Sequence, residues 1–175
     1  MNKNLPKTPP IPATGLGSNR GRKLAPGDKA PDFDLGDDSG GRVSLASFKG
    51  KILVLYFYPK DDTSGCTKEA IAFNGLKDKF KNAGAAILGV SADSVASHAR
   101  FKAKHNLELA LASDESKAML EAYGVWAEKS MYGRKYMGIE RTTYVIGKDG
   151  KVTTVWNKVS VPGHAEAVLD AVKAL

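Results

Sequence analysis

Cys66 is the only cysteine in 175 residues, and it sits in the stretch YPKDDTSGCTKE at residues 58–69. A thiolate is a strong nucleophile, but a free thiol with a pKa of about 8.5 is mostly protonated at neutral pH. Reactivity therefore needs surroundings that favour the anion, and the residues around Cys66 are of types that supply them. Thr63, three positions earlier, can turn its hydroxyl towards the sulfur or towards an oxygen bound beside it. Pro59 would end a strand without donating a hydrogen bond and wall off one side. Ser64 and Gly65 would present backbone amides to a small ligand, the glycine by permitting close approach. All of these are also ordinary turn and cap residues, and unpaired cysteine is often buried, so a space-filling role competes.

The elements that must position Cys66 alternate in type. KILVLYFY at 51–58 is a continuous β-prone apolar run, as expected of a strand covered on both faces. Residues 64–82 read as one helix, with Ala70, Phe73, Leu76 or Lys77, and Phe80 at three-to-four spacing. AAILGVS at 85–91 is a second buried strand, and 93–106 a helix capped by Asp93. Residues 108–112 form a short strand, and 116–123 a short helix ended by Gly124. Residues 141–146 and 151–156 flank GKDG as a hairpin, 164–175 is a last amphipathic helix, and 32–35 and 42–45 are weak strands around DDSGG. This order implies an α/β fold, with a mixed central sheet and helices on both faces. Cys66 then falls past the C-terminal end of a central strand, in the first turn of the next helix, where open α/β sheets place their sites. Unpaired N–H groups and partial positive charge at that helix end favour a thiolate.

The bulk composition bounds the rest. Hydrophobic residues make up 42% and charged residues 26%, ordinary for one soluble domain with a full core. No apolar run approaches the roughly 20 residues that span a bilayer, so no membrane role is expected. A single cysteine forms no internal disulfide, and neither a CxxC pair nor a Cys/His cluster is present, so no metal site and no cofactor are expected. The expected location is a reducing compartment, the cytoplasm. Net charge is +7, of which residues 1–24 supply +5 through Lys3, Lys7, Arg20, Arg22 and Lys23. That Pro/Gly-rich segment reads as a flexible tail, leaving residues 25–175 as the domain. The domain itself is only mildly basic, so a nucleic-acid partner is not expected.

The spacing Pro59-x-x-x-Thr63-x-x-Cys66 resembles the active-site loop of the peroxiredoxins, and YPKDDTSGCTKEA resembles their bacterioferritin comigratory protein, or peroxiredoxin Q, subgroup. APGDKAPDFDL at 25–35, VSADSVASHARFKAKHNL at 90–107 and YGVWAEKSMYGRKYMGIERTTYVIGKDGKV at 123–152 are similar to further stretches of that subgroup, so the likeness spans residues 24–175. The resemblance implies a thioredoxin-like fold and a thiol peroxidase. Cys66 would be the peroxidatic cysteine, oxidised to a sulfenic acid by hydrogen peroxide or an organic hydroperoxide. Thr63 would orient the peroxide, and Pro59 would shield the sulfur from over-oxidation. Arg141, in GIERTT, would stabilise the thiolate and the charge developing on the oxygens. Glu69 would hold Arg141, with a solvated helix acid as the alternative.

Many members of the subgroup carry a resolving cysteine five residues after the first, or in the next helix. Here those positions are Ile71 and FKA at 101–103. The resemblance with this departure implies a one-cysteine cycle, unless a second thiol was removed by mutation. An external thiol would then reduce Cys66: glutathione, glutaredoxin, thioredoxin or another partner protein. Ile71 is expected to pack into the core, stiffen the helix and slow exposure of the oxidised sulfur. The expected state is a monomer or weak dimer. A non-catalytic thioredoxin-like binding or redox-sensing module is the alternative. A Cys-His hydrolase would need a histidine beside Cys66, whereas His98 and His105 read as lying on a surface helix and His164 as starting the last helix. The aromatic and basic stretch at 131–138 reads as a flexible loop near the site, with Trp126 in the core.

Overall fold

The computed structural model describes residues 23–175, so the expected tail lies outside the described residues except for Lys23 and Leu24. Those two are docked. Leu24 is buried and its N–H donates to Tyr144 Oη, while Lys23 Nζ lies 2.5 Å from Glu140 Oε2.

The chain then alternates as β1 (Asp34–Asp37), β2 (Arg42–Ser44), β3 (Ile52–Phe57), α1 (Ser64–Gly75), α2 (Lys77–Asn82), β4 (Ala85–Ser91), α3 (Val95–His105) and β5 (Ala110–Ser113). It continues as α4 (Ala118–Ala122), β6 (Trp126–Met131), β7 (Arg134–Ile139), β8 (Thr142–Ile146), β9 (Val152–Trp156) and α5 (His164–Lys173). Seven strands form one mixed sheet in the order β2-β1-β5-β4-β3-β8-β9. The pairs β3–β4 and β4–β5 are parallel, and β1–β2, β1–β5, β3–β8 and β8–β9 are antiparallel. The parallel pairs come from the strand–helix–strand stretches and the antiparallel outer pairs from the hairpins.

The period-two geometry of β3 explains its continuous apolar sequence. Leu53, Leu55 and Phe57 point into one hydrophobic cluster, and Ile52, Val54 and Tyr56 into the other. α1, α2, α3 and α5 supply the second cluster through Phe73, Phe80, Phe101 and Val168, while α4 supplies the first through Met119 and Leu120. Helices thus flank both faces, unequally. Gly89 on β4 pairs with Tyr56, and a Cβ there would lie 2.8 Å from the Tyr56 ring, so only glycine leaves room for it.

Three expected boundaries shift for local reasons. The helix expected over 64–82 is two helices, because Leu76 leaves helical geometry with φ −104° and ψ 5° after Gly75. The cap of α3 is Ser94, whose Oγ accepts from Ser97 N–H at 3.1 Å, rather than Asp93. The stretch at 131–138 is no loop. It belongs to β6 and β7, an antiparallel ribbon closed by Tyr132 and Gly133 at φ 53° and 79°. Positive φ at both central residues is the geometry of a type I′ hairpin turn. Trp126, expected in the core, is half-buried at its edge.

Candidate active site

Tyr58 N–H makes the last bond of the β3 edge, to Val90 O at 3.1 Å, and half-buried Pro59 ends the ladder. Asp62 then takes a left-handed φ of 60°, which turns the chain into α1. Thr63 is the N-cap, in extended geometry, and its hydroxyl donates to Lys60 O at 2.9 Å. This bond leaves the lone pairs of Oγ1 free to accept. Thr67 N–H is the first to bond back, to Thr63 O at 2.8 Å. The amides of exposed Ser64, half-buried Gly65 and Cys66 therefore precede the first intrahelical bond of α1.

Cys66 is only 1% exposed and lies in the cluster with Tyr56, Ala70 and Phe73. Arg141 comes from the link between β7 and β8. Its Nη1 donates to Glu69 Oε1 at 2.6 Å, and its Nη2 lies 3.4 Å from Cys66 Sγ. One planar guanidinium thus joins the acid and the sulfur, a fork that lysine does not offer. A Cβ on Gly65 would sit 3.0 Å from Arg141 Nη2, so the glycine makes room for the arginine as well as presenting an amide. Glu69 is 1% exposed, and its second oxygen has no hydrogen-bond partner. Burial pushes its carboxyl up to about 7 against the pull of Arg141. The structure thus brings Cys66, Glu69, Gly65 and Arg141 into contact, with Pro59, Thr63 and Ser64 on the adjoining turn.

Two expectations need correction. Ile71 does not pack into the core: it is 50% exposed on the outer face of α1. His98 is not on the surface. It is fully buried, with Nδ1 2.7 Å from Asp61 Oδ2 and Nε2 2.9 Å from Ala112 O. Both ring nitrogens face acceptors, the pattern of an imidazolium. Burial opposes that charge, but the hydrogen bond and charge of Asp61 outweigh it and raise the His98 pKa. Tyr58 Oη and Ser97 Oγ also donate to the Asp61 carboxylate, at 2.6 and 2.8 Å.

Asp61, Asp93 and His98 form the one cluster of three His/Cys/Asp/Glu donors among the described residues close enough to share an ion. Their atoms are spent on each other, on Tyr58, Ser91 and Ser97 and on backbone groups, so the cluster works as a hydrogen-bond network. His105 bonds Asp62, and His164 bonds Thr143 while packing on Phe73 and Trp156. Each histidine is thus engaged away from Cys66. Burial, with the charge of Arg141, holds His164 down at about 4.

Sequence reasoning missed Asp61, His98 and Tyr56, whose buried hydroxyl has no hydrogen-bond partner beside Glu69. The spacing of His98 from Phe101 was the available signal, since i and i+3 share a helix face. Lys129 on β6 was also missed. Burial and then the neighbouring charge of Arg141 hold it below the ordinary lysine range, and Cys66 acts on it too. A cavity of about 430 Å³ lined by Lys51, Lys81, Ala85 and Leu109 lies at the opposite, N-terminal ends of β3 and β4.

The sequence profile of the AhpC/TSA family matches residues 26–155. A putative peroxiredoxin bcp of Coxiella burnetii is 49% identical over 143 residues, covering 82% of this chain and 95% of that protein. Peroxiredoxin Bcp of Bacillus subtilis is 46% identical over 147 residues, covering 84% and 94%. Among solved structures, the Xanthomonas campestris bacterioferritin comigratory protein, described for alkyl peroxide reduction, superposes with a TM-score of 0.78 at 42% identity, covering 94% of this chain and 96% of that one. A mutant of peroxiredoxin Q from Xylella fastidiosa gives 0.82 at 39% identity, covering 86% and 96%. With a contacting cysteine, arginine and glutamate behind a strand–Pro–helix turn, and likeness along most of its length, the chain belongs to the AhpC/TSA family, among the peroxiredoxins of the Bcp, or peroxiredoxin Q, kind.

Proposed function

We propose that Cys66 is the peroxidatic nucleophile of this thiol-dependent peroxidase and that it works alone, in a one-cysteine cycle. The observation that carries this reading is Arg141, fixed through Nη1 by Glu69 at 2.6 Å while its Nη2 reaches the Cys66 sulfur at 3.4 Å. A cation held there stabilises negative charge on sulfur and the charge that develops on the peroxide oxygens. The thiolate attacks the terminal oxygen of ROOH. The S–O bond forms as the O–O bond breaks, RO⁻ leaves and takes up a proton, and the sulfur becomes a sulfenic acid.

Thr63 Oγ1, with its own proton given to Lys60 O, accepts from the peroxide O–H and aims it. The amides of Ser64 and Gly65 hold the outer oxygen, and Pro59 limits access by a second peroxide. Glu69 sets the position of Arg141. An external thiol then reduces the sulfenic acid: glutathione, glutaredoxin or thioredoxin. A reducing compartment such as the cytoplasm supplies it, and the protein works as a monomer or weak dimer with no cofactor. Residues 25–175 form the working domain, with Lys23 and Leu24 docked against it. Among the described residues, no helix is long and apolar enough to cross a membrane.

Mass spectrometry after one equivalent of hydrogen peroxide tests the reading. One added oxygen on Cys66, absent in Cys66→Ser, is expected. No reaction over minutes at neutral pH would leave the binding or redox-sensing module in its place.

A further inference from the structure

Two consecutive aspartates in the loop before Cys66 are both tied to α3. Asp61 is 8% exposed and accepts from Tyr58, Ser97 and His98, while its own N–H donates to Asp93 Oδ2 at 2.8 Å. Asp62, exposed, bonds Lys104 Nζ at 2.7 Å and His105 Nε2 at 2.9 Å. The helix that receives these bonds is anchored in turn. Lys102 Nζ reaches Asp38 Oδ2 at 2.8 Å, Asp38 Oδ1 accepts from Leu111 N–H, and His98 Nε2 holds the Ala112 carbonyl of β5. The loop is therefore bolted through α3 to the sheet. Cys66, the third residue of the helix beyond it, is 1% exposed.

We infer that Asp61 and His98 form a latch that keeps the loop at 58–63 closed, so that oxidised Cys66 is reduced inside its own pocket by a small thiol and not by a docked protein reductase. This rests on the one-cysteine reading above. A protein dithiol must bring its sulfur in line with Cys66 Sγ, which requires the first turn of α1 to open. Opening separates a carboxylate and an imidazolium that have no water to replace each other, and this keeps the open population small. A small thiol must make the same in-line approach, but it needs room for one sulfur and its substituent only, a smaller opening than a docked protein demands. Arg141 Nη2 lies 3.4 Å from the sulfur, and half-buried Lys129 is near enough to feel the charges of Arg141 and Cys66, so the surroundings of Cys66 are positive, which suits a thiol carrying a carboxylate. The chemistry balances: R′SH displaces water from Cys66–S–OH to give Cys66–S–S–R′. A second R′SH then releases the Cys66 thiol and R′S–SR′, and the two thiols supply both electrons.

The experiment separates oxidation from reduction. The sulfenic acid is first formed with one equivalent of hydrogen peroxide and verified by mass; its absence would refute the one-cysteine reading and leave the latch without a purpose. Reduction is then timed with millimolar glutathione and, separately, with micromolar thioredoxin recycled by its reductase. Faster turnover with glutathione is expected, and equal or faster turnover with thioredoxin overturns the latch. Asp61→Asn keeps the size of the side chain and removes its charge. It should quicken amide exchange across 58–66 and raise the thioredoxin rate about tenfold or more, with the glutathione rate changed less than about twofold. Unchanged exchange, or quickened exchange with an unchanged thioredoxin rate, overturns the assignment. If Asp61→Asn does not fold, the wild-type comparison decides alone.

Discussion

The loop at 58–63 and the ribbon of β6 and β7 flank Cys66, and different forces hold them. In the loop, a buried carboxylate is satisfied by a tyrosine, a serine and a histidine, and charge is matched by charge out of contact with water. The ribbon pairs only with itself, and it carries four of the six large apolar side chains exposed among the described residues: Met131, Tyr132, Tyr136 and Met137. A two-stranded ribbon is marginal on its own. The only core anchors at its base are buried Ile139 and half-buried Trp126. The local stabilities of the two flanks must therefore differ, with the loop near the global value and the ribbon well below it. Arg141 joins them, because it leaves the ribbon and ends on Cys66. Its precision comes from the Glu69 carboxylate on α1 and from Val159 N–H, which donates to the Arg141 carbonyl at 3.0 Å, rather than from the ribbon.

Breaking the loop flank should have the largest effect. His98→Ala strips the cation from a buried carboxylate and leaves a hole beside Tyr58. A loss of about 3–5 kcal/mol in urea unfolding is expected. A loss below about 1 kcal/mol would mean that Asp61 is not charged in the folded protein. Removing the junction comes next. Arg141→Ala should slow sulfenic acid formation by about 10²–10³-fold, read by stopped flow. Arg141→Lys should recover only part of that, because a lysine does not span Glu69 and Cys66 together. An unchanged rate in Arg141→Ala would remove the arginine from the mechanism.

The contrast between the flanks also marks what the sequence reveals. β3 was legible because six consecutive apolar residues are buried on both faces, and its end fixed where Cys66 falls. The cysteine, glycine and glutamate share one helical turn, so their meeting followed from spacing. Arg141 is 75 residues from Cys66 and entered only through resemblance to a family. The latch was hidden because His98 reads as lying on a surface helix and Asp61 as an ordinary turn residue, and their burial depends on how α3 packs on the sheet. Ile71 misled for the converse reason. It is apolar, but its position on α1 faces solvent, and hydrophobicity alone does not say which face is inside. The ribbon was missed because a tyrosine holds the turn position where asparagine or aspartate would have announced a hairpin.

Glu69 sharpens the comparison through pH. Its folded carboxyl is raised to about 7 from the usual 4.5, so the native protein keeps a proton that the unfolded chain has lost. Stability therefore falls as pH rises from 4.5 towards about 7. Glu69→Gln keeps an oxygen for Arg141 and has nothing to titrate. Unfolding measured at about pH 5 and about pH 8 should differ less in the variant than in the wild type. An identical difference would place the charge of Glu69 elsewhere in the balance.

The smallest effect is expected at the tip of the ribbon, and it tests how Arg141 is positioned. Tyr132 is 97% exposed and has φ 53°, a left-handed conformation that costs a tyrosine more than an asparagine. Tyr132→Asn creates Asn-Gly, the favoured pair for a type I′ turn, and gives up almost no buried surface. Stability should change by at most about 0.5 kcal/mol, in the favourable direction, with slower amide exchange along β6 and β7. The rate of sulfenic acid formation should not move, because Glu69 and the Val159 amide hold Arg141 whatever the ribbon does. A rate that follows the exchange of the ribbon would show that the exposed flank, too, helps aim the guanidinium at the sulfur.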